Sequence, residues 1–223
     1  LEGAGRLAHD QDDPARAERL FAAALAIWQV LEDCRGQSRL LDDLGNIAHD
    51  RGDFTRAVTL HEQALALAQQ AGDRRGAGRA LNNLGMAALY QGEDERASLL
   101  YQGALAAMRE LGDAYGVNVV LNNLGIVAIR RGELDEATSI YDECLAGCRE
   151  LGDQRGVGGA LVNLAEIRLR QGDFVEAGAL YEEARQLLQD LGDNRAAAAA
   201  FHGLASVALA RHDAAVAASH FRT

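Results

Sequence analysis

The residues that most invite chemistry are His61-Glu62, the pairs His9-Asp10 and His49-Asp50, and Cys144 with Cys148. His61-Glu62 opens like the His-Glu-x-x-His helix of a zinc protease, where two imidazoles one turn apart hold the metal and the glutamate activates water. Leu65 stands where the second histidine is required, so that reading fails. Cys144 and Cys148 lie four apart on one helical face and offer two metal ligands. Structural zinc takes four, and no histidine or further cysteine lies near them in sequence, so packing is the plainer role. His9-Asp10 and His49-Asp50 recur forty residues apart; stacking would bring them together, either as a metal or pH-sensitive site or as solvated helix ends. The run Gly156-Val157-Gly158-Gly159-Ala160 is glycine-rich but begins a helix, not the strand-to-helix turn that cradles a dinucleotide. Five serines and four threonines are scattered without a recurrent histidine and carboxylate. No lysine occurs among the 22 cations, which removes P-loop, Schiff-base and lysine-base chemistry. The expectation is a protein that is not an enzyme and carries no cofactor or metal.

The elements that would position these residues follow from composition and period. The chain has 223 residues, 48% hydrophobic, with one proline and 5% aromatics, a mix suited to helices packed through small side chains. A net charge of −11 disfavours direct contact with nucleic acid or an anionic membrane, because both draw on clustered cations. No stretch approaches the roughly 20 apolar residues that cross a bilayer, and no charged-then-apolar leader opens the chain. Three cysteines, an odd and sparse set, fit a reducing cytoplasm. The chain starts at Leu1, so a fragment of a longer protein is expected.

Internal repetition organises the whole sequence. LLDDLGNIA from Leu40, ALNNLGMAA from Ala80, VLNNLGIVA from Val120 and ALVNLAEIR from Ala160 recur at forty residues without a slip, with a degenerate copy from Ala200. This divides 1–223 into repeats near 1–33, 34–73, 74–113, 114–153, 154–193 and an incomplete 194–223. Gly72-Asp73, Gly112-Asp113, Gly152-Asp153 and Gly192-Asp193 punctuate the repeats, glycine as the left-handed C′ residue and aspartate as the next N-cap. Gly52-Asp53, Gly92-Glu93, Gly132-Glu133 and Gly172-Asp173 divide each repeat in two, and Asp13-Pro14 does so in the first. Helices are expected near 14–31, 34–50, 54–70, 74–90, 94–110, 114–130, 134–150, 154–170 and 174–190. Loops this short force neighbouring helices antiparallel. In the first helix of a repeat Leu81, Leu84, Gly85 and Ala88 form the packing stripe; in the second, Ala97, Tyr101, Ala104 and Leu105 do. Gly85 and Ala97 are small where the two helices come closest.

Leu-x-x-Leu-Gly-x-x-Ala, then Gly-Asp or Gly-Glu, then Ala-x-x-x-Tyr-x-x-Ala resembles the tetratricopeptide repeat, whose usual positions map onto Leu81, Leu84, Gly85, Ala88, Ala97, Tyr101 and Ala104. The repeat departs from the common 34-residue length and lacks the closing proline. Forty-residue copies with LNNLG are similar to those of kinesin light chains and spindle-orientation adaptors. The ELGD junctions are closer to arrays in large bacterial regulators. The resemblance implies an all-α fold, an α-α superhelix of about five to six stacked antiparallel helix pairs, with the first helix of each pair lining a concave side.

At about 100° per residue, Arg79, Asn83, Met86 and Tyr90 centre opposite the packing stripe, as do Arg39, Asp43, Asn46 and Asp50; Val119, Asn123, Ile126 and Arg130; and Gly159, Asn163, Glu166 and Arg170. Asn83, Asn123 and Asn163 form a ladder with Asp43 in the fourth rung. The last position runs Asp10, Asp50, Tyr90, Arg130, Arg170, Ala210, an expected change from acidic to basic that Arg39 and Arg79 partly oppose at the acidic end. The amides either grip a bound peptide backbone, as the resemblance implies, or tie neighbouring repeats together. The expected function is a protein or peptide interaction module of a bacterial signalling or regulatory protein in the cytoplasm; the alternative is a small-effector sensor of a transcriptional activator. The end of the chain, barely into a second helix at Thr223, suggests exposed apolar surface and self-association through terminal repeats.

Overall fold

A computed structural model describes residues 1–211, and among them all regular structure is helical. Eleven helices follow in order: α1 (Glu2–Asp10), α2 (Pro14–Val30), α3 (Cys34–Asp50), α4 (Phe54–Gln70), α5 (Arg74–Tyr90), α6 (Asp94–Glu110), α7 (Ala114–Arg131), α8 (Leu134–Leu151), α9 (Gln154–Gln171), α10 (Phe174–Asp190) and α11 (Asn194–Ala210). Each expected boundary falls within a residue of the observed one. The second half of the incomplete last repeat, to Thr223, lies outside the described residues.

At most helix junctions one aspartate does two jobs. Gly72 takes a left-handed φ of +62°, its N–H donating to Gln69 O (3.1 Å) while the N–H of Asp73 reaches back to Ala68 O (2.8 Å). Those bonds close α4, and the Asp73 side chain then accepts from Gly76 N to open α5. Asp33, Asp53, Asp153, Asp173 and Asp193 cap in the same way. Glu93 and Glu133, one methylene longer, make no side-chain cap; each pairs with an arginine instead, Arg96 at 2.8 Å and Arg131 at 2.9 Å. Two junctions lack the glycine, and Asp12 (φ +58°) and Glu32 (φ +54°) occupy the left-handed region in its place.

The chain divides into two compact units, Leu1–Asp113 and Ala114–Thr223, at a repeat boundary. In the first, α1 packs on α2, α3 on α4 and α5 on α6, and each pair packs on the next. Its core gathers Ala17, Phe21, Ala24, Leu40, Leu44 and Ile47, joined by Leu41, Ala64 and Ala80. The second repeats the plan with α7 on α8, α9 on α10 and α10 on α11; Leu121, Tyr141, Leu161, Ile167 and Leu188 are among its buried side chains. Both units are α-α solenoid structure.

In the pairs from α1–α2 to α7–α8 the first helix carries a glycine where the second helix drives in a ring. A Cβ on Gly85 would sit 2.7 Å from Tyr101 Cε1, and Gly45 and Gly125 make the same room for His61 and Tyr141. In the next copy Ala165 fills that space, and the Tyr181 ring lies against Gly203 of α11 instead. The glycine and the direction of the ring are therefore coupled, as dense interiors require.

Candidate functional site

Within each unit the first helices lie side by side: α3 contacts α5, α7 contacts α9, and α9 contacts α11. This lateral packing changes what the inner face presents. Arg39, Arg79, Asp43, Asn83, Asn123, Asn163, Asn46, Met86, Ile126 and Glu166 are half-buried, covered in part by the flanking helix, whereas Asp50, Tyr90, Arg130 and Arg170 are exposed. On the inner face the last position of each row is thus exposed and the ladder is half-buried.

In the first unit the ladder amide of Asn83 is a tie. Its Nδ2 donates to Asp42 Oδ1 (2.9 Å) and to Asn46 Oδ1 (3.2 Å), both on the preceding first helix. Asp42 is the centre of this junction. It is 3% exposed, accepts from His61 Nδ1 at 2.9 Å, and has Arg79 Nη2 3.4 Å from its other oxygen. The carboxylate accepts, so the His61 proton sits on Nδ1. A charge buried this deeply needs such partners. In the second unit Asn163 makes the corresponding tie, donating from Nδ2 to Asn122 Oδ1 at 3.2 Å, while Tyr141 Oη donates to the Asn122 carbonyl at 3.0 Å. For Asn83 and Asn163 the geometry is that of the repeat-tying alternative. Helical periodicity does not reveal the Asp42–His61 pair, although the sequence carries a signal for it: Asp42 and His61 depart together from the Asn82/Tyr101 and Asn122/Tyr141 pattern.

Toward the end of the first unit an open hollow of about 180 Å³ lies between α1 and α3, lined by Arg6, His9, Asp10, Phe21, Asp43 and Asn46. Arg6 donates from Nε and Nη2 to Asp43 Oδ2 at 3.3 and 3.2 Å. Burial still holds the Asp43 carboxyl above its ordinary range, against the pull of Arg6 and Arg79. His9 Nε2 lies 2.9 Å from Asp50 Oδ2, so the recurring His-Asp words do meet across the repeat. Among the described residues no group of three or more His, Cys, Asp or Glu is placed to hold a metal ion.

Further along, Tyr90 is 64% exposed and stacks on Phe54 with ring centroids 5.7 Å apart, while His49 meets both rings edge-on. In the second unit Arg170 donates to Glu166 Oε1 (2.7 Å) and to the Ile129 carbonyl (3.3 Å), and Tyr181 Oη donates to Glu166 Oε2 (3.1 Å). Cys144 and Cys148 are buried; burial pushes the Cys144 thiol up to about 12, and Cys148 is raised for the same reason, so both act as packing groups at neutral pH. No helix among the described residues is long and apolar enough to cross a membrane.

Comparison with known proteins agrees with this architecture. The tetratricopeptide repeat family matches residues 1–70, 36–110 and 156–223 in one form and 119–151 in another. No curated protein matches the chain in sequence. Among solved structures, BtubC from P. vanneervenii is similar with a TM-score of 0.79 at 20% identity, over 94% of this chain and 88% of that one. A Rap protein complexed with competence and sporulation factor is similar with a TM-score of 0.75 at 16% identity, over 99% of this chain and 71% of that one. A signal transduction ATPase with a tetratricopeptide repeat sensor, from Pyrococcus horikoshii, has a TM-score of 0.79 at 15% identity; 99% of this chain covers 35% of that chain. At these identities the likeness is one of fold. From the family match over most of its length, together with the glycine–aspartate junctions and the ring-into-glycine packing, the chain belongs to the tetratricopeptide repeat family.

Proposed function

We propose that the inner face formed by the first helices binds a segment of a partner protein, and that the chain serves as a non-catalytic interaction module in a signalling or regulatory protein. The observation that carries this reading is the hollow between α1 and α3, which gathers charged, amide and aromatic side chains at one open place. Its size favours a segment over a free effector: about 180 Å³ suits one side chain, whereas small-molecule pockets run about 300–1,000 Å³. The Rap neighbour, solved with competence and sporulation factor, and the neighbour with a repeat sensor support a regulatory setting by analogy of fold. The forty-residue register passes through both units without a slip, which supports treating 1–223 as one array, and the three unpaired cysteines support a cytoplasmic setting. In the first unit Asp43, Asn46, Asp50, Met86 and Tyr90 are the contacts assigned to the partner; Ile126, Arg130 and Arg170 are the corresponding inner-face positions of the second unit, taken by itself. Asn83 and Asn163 join them only if binding loosens the ties described above, and Asn123 holds the same ladder position in the second unit.

The test is selection of peptides from a random display library on the intact chain, followed by amide chemical-shift mapping of the selected peptides. Binders are expected to move the amides of Asn46, Met86 and Tyr90. Binders that perturb only α2, α4 and α6 would overturn the inner-face reading. A metabolite panel that raises the melting temperature where no peptide does would favour the sensor alternative.

A further inference from the structure

We propose that the hollow between α1 and α3 is a seat for the cationic side chain, arginine or lysine, of the bound segment; this rests on the peptide-binding reading above. The charges that line the hollow are committed unequally. Arg6 is spent on Asp43, and His9 on Asp50. Asp10 is exposed, and among the described residues no hydrogen bond or ion pair engages its side chain. The uncommitted charge is thus a carboxylate, with the amide of Asn46 beside it and the Phe21 ring as an apolar wall.

Helix electrostatics point the same way independently. A helix C-terminus carries partial negative charge, so acidic residues are unfavourable there and cations favourable. The long first helices of the second unit follow that preference, α7 ending on Arg130-Arg131 and α9 carrying Arg170 in its last turn. In the first unit α1 ends on Asp10 and α3 on Asp50, and the 2.9 Å contact of His9 with Asp50 brings those two ends together. Two negative helix ends and two carboxylates converge; the imidazoles of His9 (2.9 Å) and His49 (3.6 Å) both lie against Asp50, and Asp10 has neither. The nearby Arg51 is turned away onto Glu18 at 2.5 Å. A guanidinium or ammonium entering the hollow supplies the charge the helix ends lack, and the guanidinium fork suits a carboxylate with an adjacent amide oxygen.

The experiment is an amide-shift titration of the intact chain with acetyl-Ala-Arg-Ala-amide, its lysine and citrulline counterparts, and free agmatine. The arginine and lysine peptides are expected to shift the amides of Arg6, His9, Asp10 and Asn46, with affinity falling as salt rises. Citrulline in place of arginine, or Asp10→Asn in the chain, is expected to weaken binding at least tenfold. Asp10 is exposed, so D10N keeps the fold, and an unchanged melting temperature checks this. Equal binding of the citrulline peptide, or no effect of D10N, overturns the proposal. Agmatine binding as tightly as the peptide overturns the assignment to a segment. Library peptides without a basic residue that still shift Met86 and Tyr90 overturn the seat and leave the inner-face reading standing; if no peptide shifts any inner-face amide, both fail.

Discussion

The junction around Asp42 in the first unit and the junction around Asn122 in the second solve one geometric problem with different chemistry. Both place a polar residue two positions before the buried leucine of a first helix, and both receive the amide of an asparagine forty-one residues later. In the second unit every partner is neutral: Asn122, Tyr141 and Asn163. In the first the acceptor is a buried carboxylate, and His61 and Arg79 converge on it with Asn83. The repeat fixes where the groups meet, because stacking places the same positions of successive first helices side by side. It does not fix what they are, provided that partners change together.

The largest expected effect comes from breaking the charged junction. His61→Phe removes one of the two donors at 2.9 Å from Asp42 Oδ1 and leaves a carboxylate that is 3% exposed with Asn83 and a longer contact to Arg79. Leaving a buried charged acceptor short of a hydrogen-bond donor costs about 1–3 kcal/mol or more; about 3 kcal/mol is expected in urea denaturation. Asn83→Ala follows at roughly 2 kcal/mol, since a hydrogen bond to a charged group is worth about 1.5–3 kcal/mol. Asn163→Ala, whose acceptor is neutral, is expected to cost about 1 kcal/mol. Equal losses for the two asparagines would remove the distinction between charged and neutral junctions.

The tyrosines sharpen the comparison at smaller cost. Tyr141 Oη donates to the Asn122 carbonyl, whereas Tyr101 Oη, at the same place one repeat earlier, is buried without a hydrogen-bond partner. Tyr141→Phe is expected to destabilise by about 1 kcal/mol, and Tyr101→Phe to be neutral or stabilising, because it removes a buried unsatisfied hydroxyl. Thermal unfolding of the two variants gives opposite signs or refutes the assignment. The junctions themselves offer a gain: Glu32 holds a φ of +54° where the other repeats place glycine. Glu32→Gly is expected to raise stability by about 1 kcal/mol, and Asp12→Gly by less, because aspartate tolerates the left-handed region better.

Much of this was legible in the sequence, for a physical reason. Gly-Asp words mark backbone conformations that few other residues adopt or cap, so the helices from Pro14 to Asp190 could be read nearly to the residue. The small residue at Gly85 was legible as a close approach of the two helices, but the sequence pattern sets it against Ala97, whereas in the structure the Tyr101 ring fills the space. The inner face was not legible. A helical wheel treats Asn83 as belonging to one isolated helix and turns it toward solvent. In the structure the neighbouring first helix covers it and supplies Asp42 and Asn46 as acceptors. Whether a residue opposite the core stripe is free depends on lateral packing between repeats, and no single-helix period contains that information. Substitutions shared by two positions do contain some of it, as Asp42 with His61 shows.

That last point yields the smallest and most discriminating expectation. If the two junctions are alternative solutions of one geometry, the neutral solution should be portable into the first unit by Asp42→Asn with His61→Tyr. Gly45 already accepts the His61 ring as Gly85 and Gly125 accept tyrosines, so the larger ring has its slot. The new amide at position 42 would accept from Asn83 as Asn122 accepts from Asn163. Arg79 loses its anion, but it is 38% exposed and can be solvated; Gly159 stands at its position in the neutral junction. Each single change strands a partner. His61→Tyr alone sets a phenol against a carboxylate already engaged by Asn83 and Arg79, and Asp42→Asn alone leaves the imidazole without its anion. Each is expected to cost about 2 kcal/mol, as typical for a disturbed buried polar network. The double variant is expected within about 1 kcal/mol of the starting protein, which makes the coupling energy roughly 3 kcal/mol, at the upper end for residues in contact. A full double-mutant cycle in urea measures it. Strictly additive losses, with the double variant some 4 kcal/mol down, would mean that the charged junction is specific to its repeat, and that Asp42 and His61 do not exchange as a unit with Asn and Tyr.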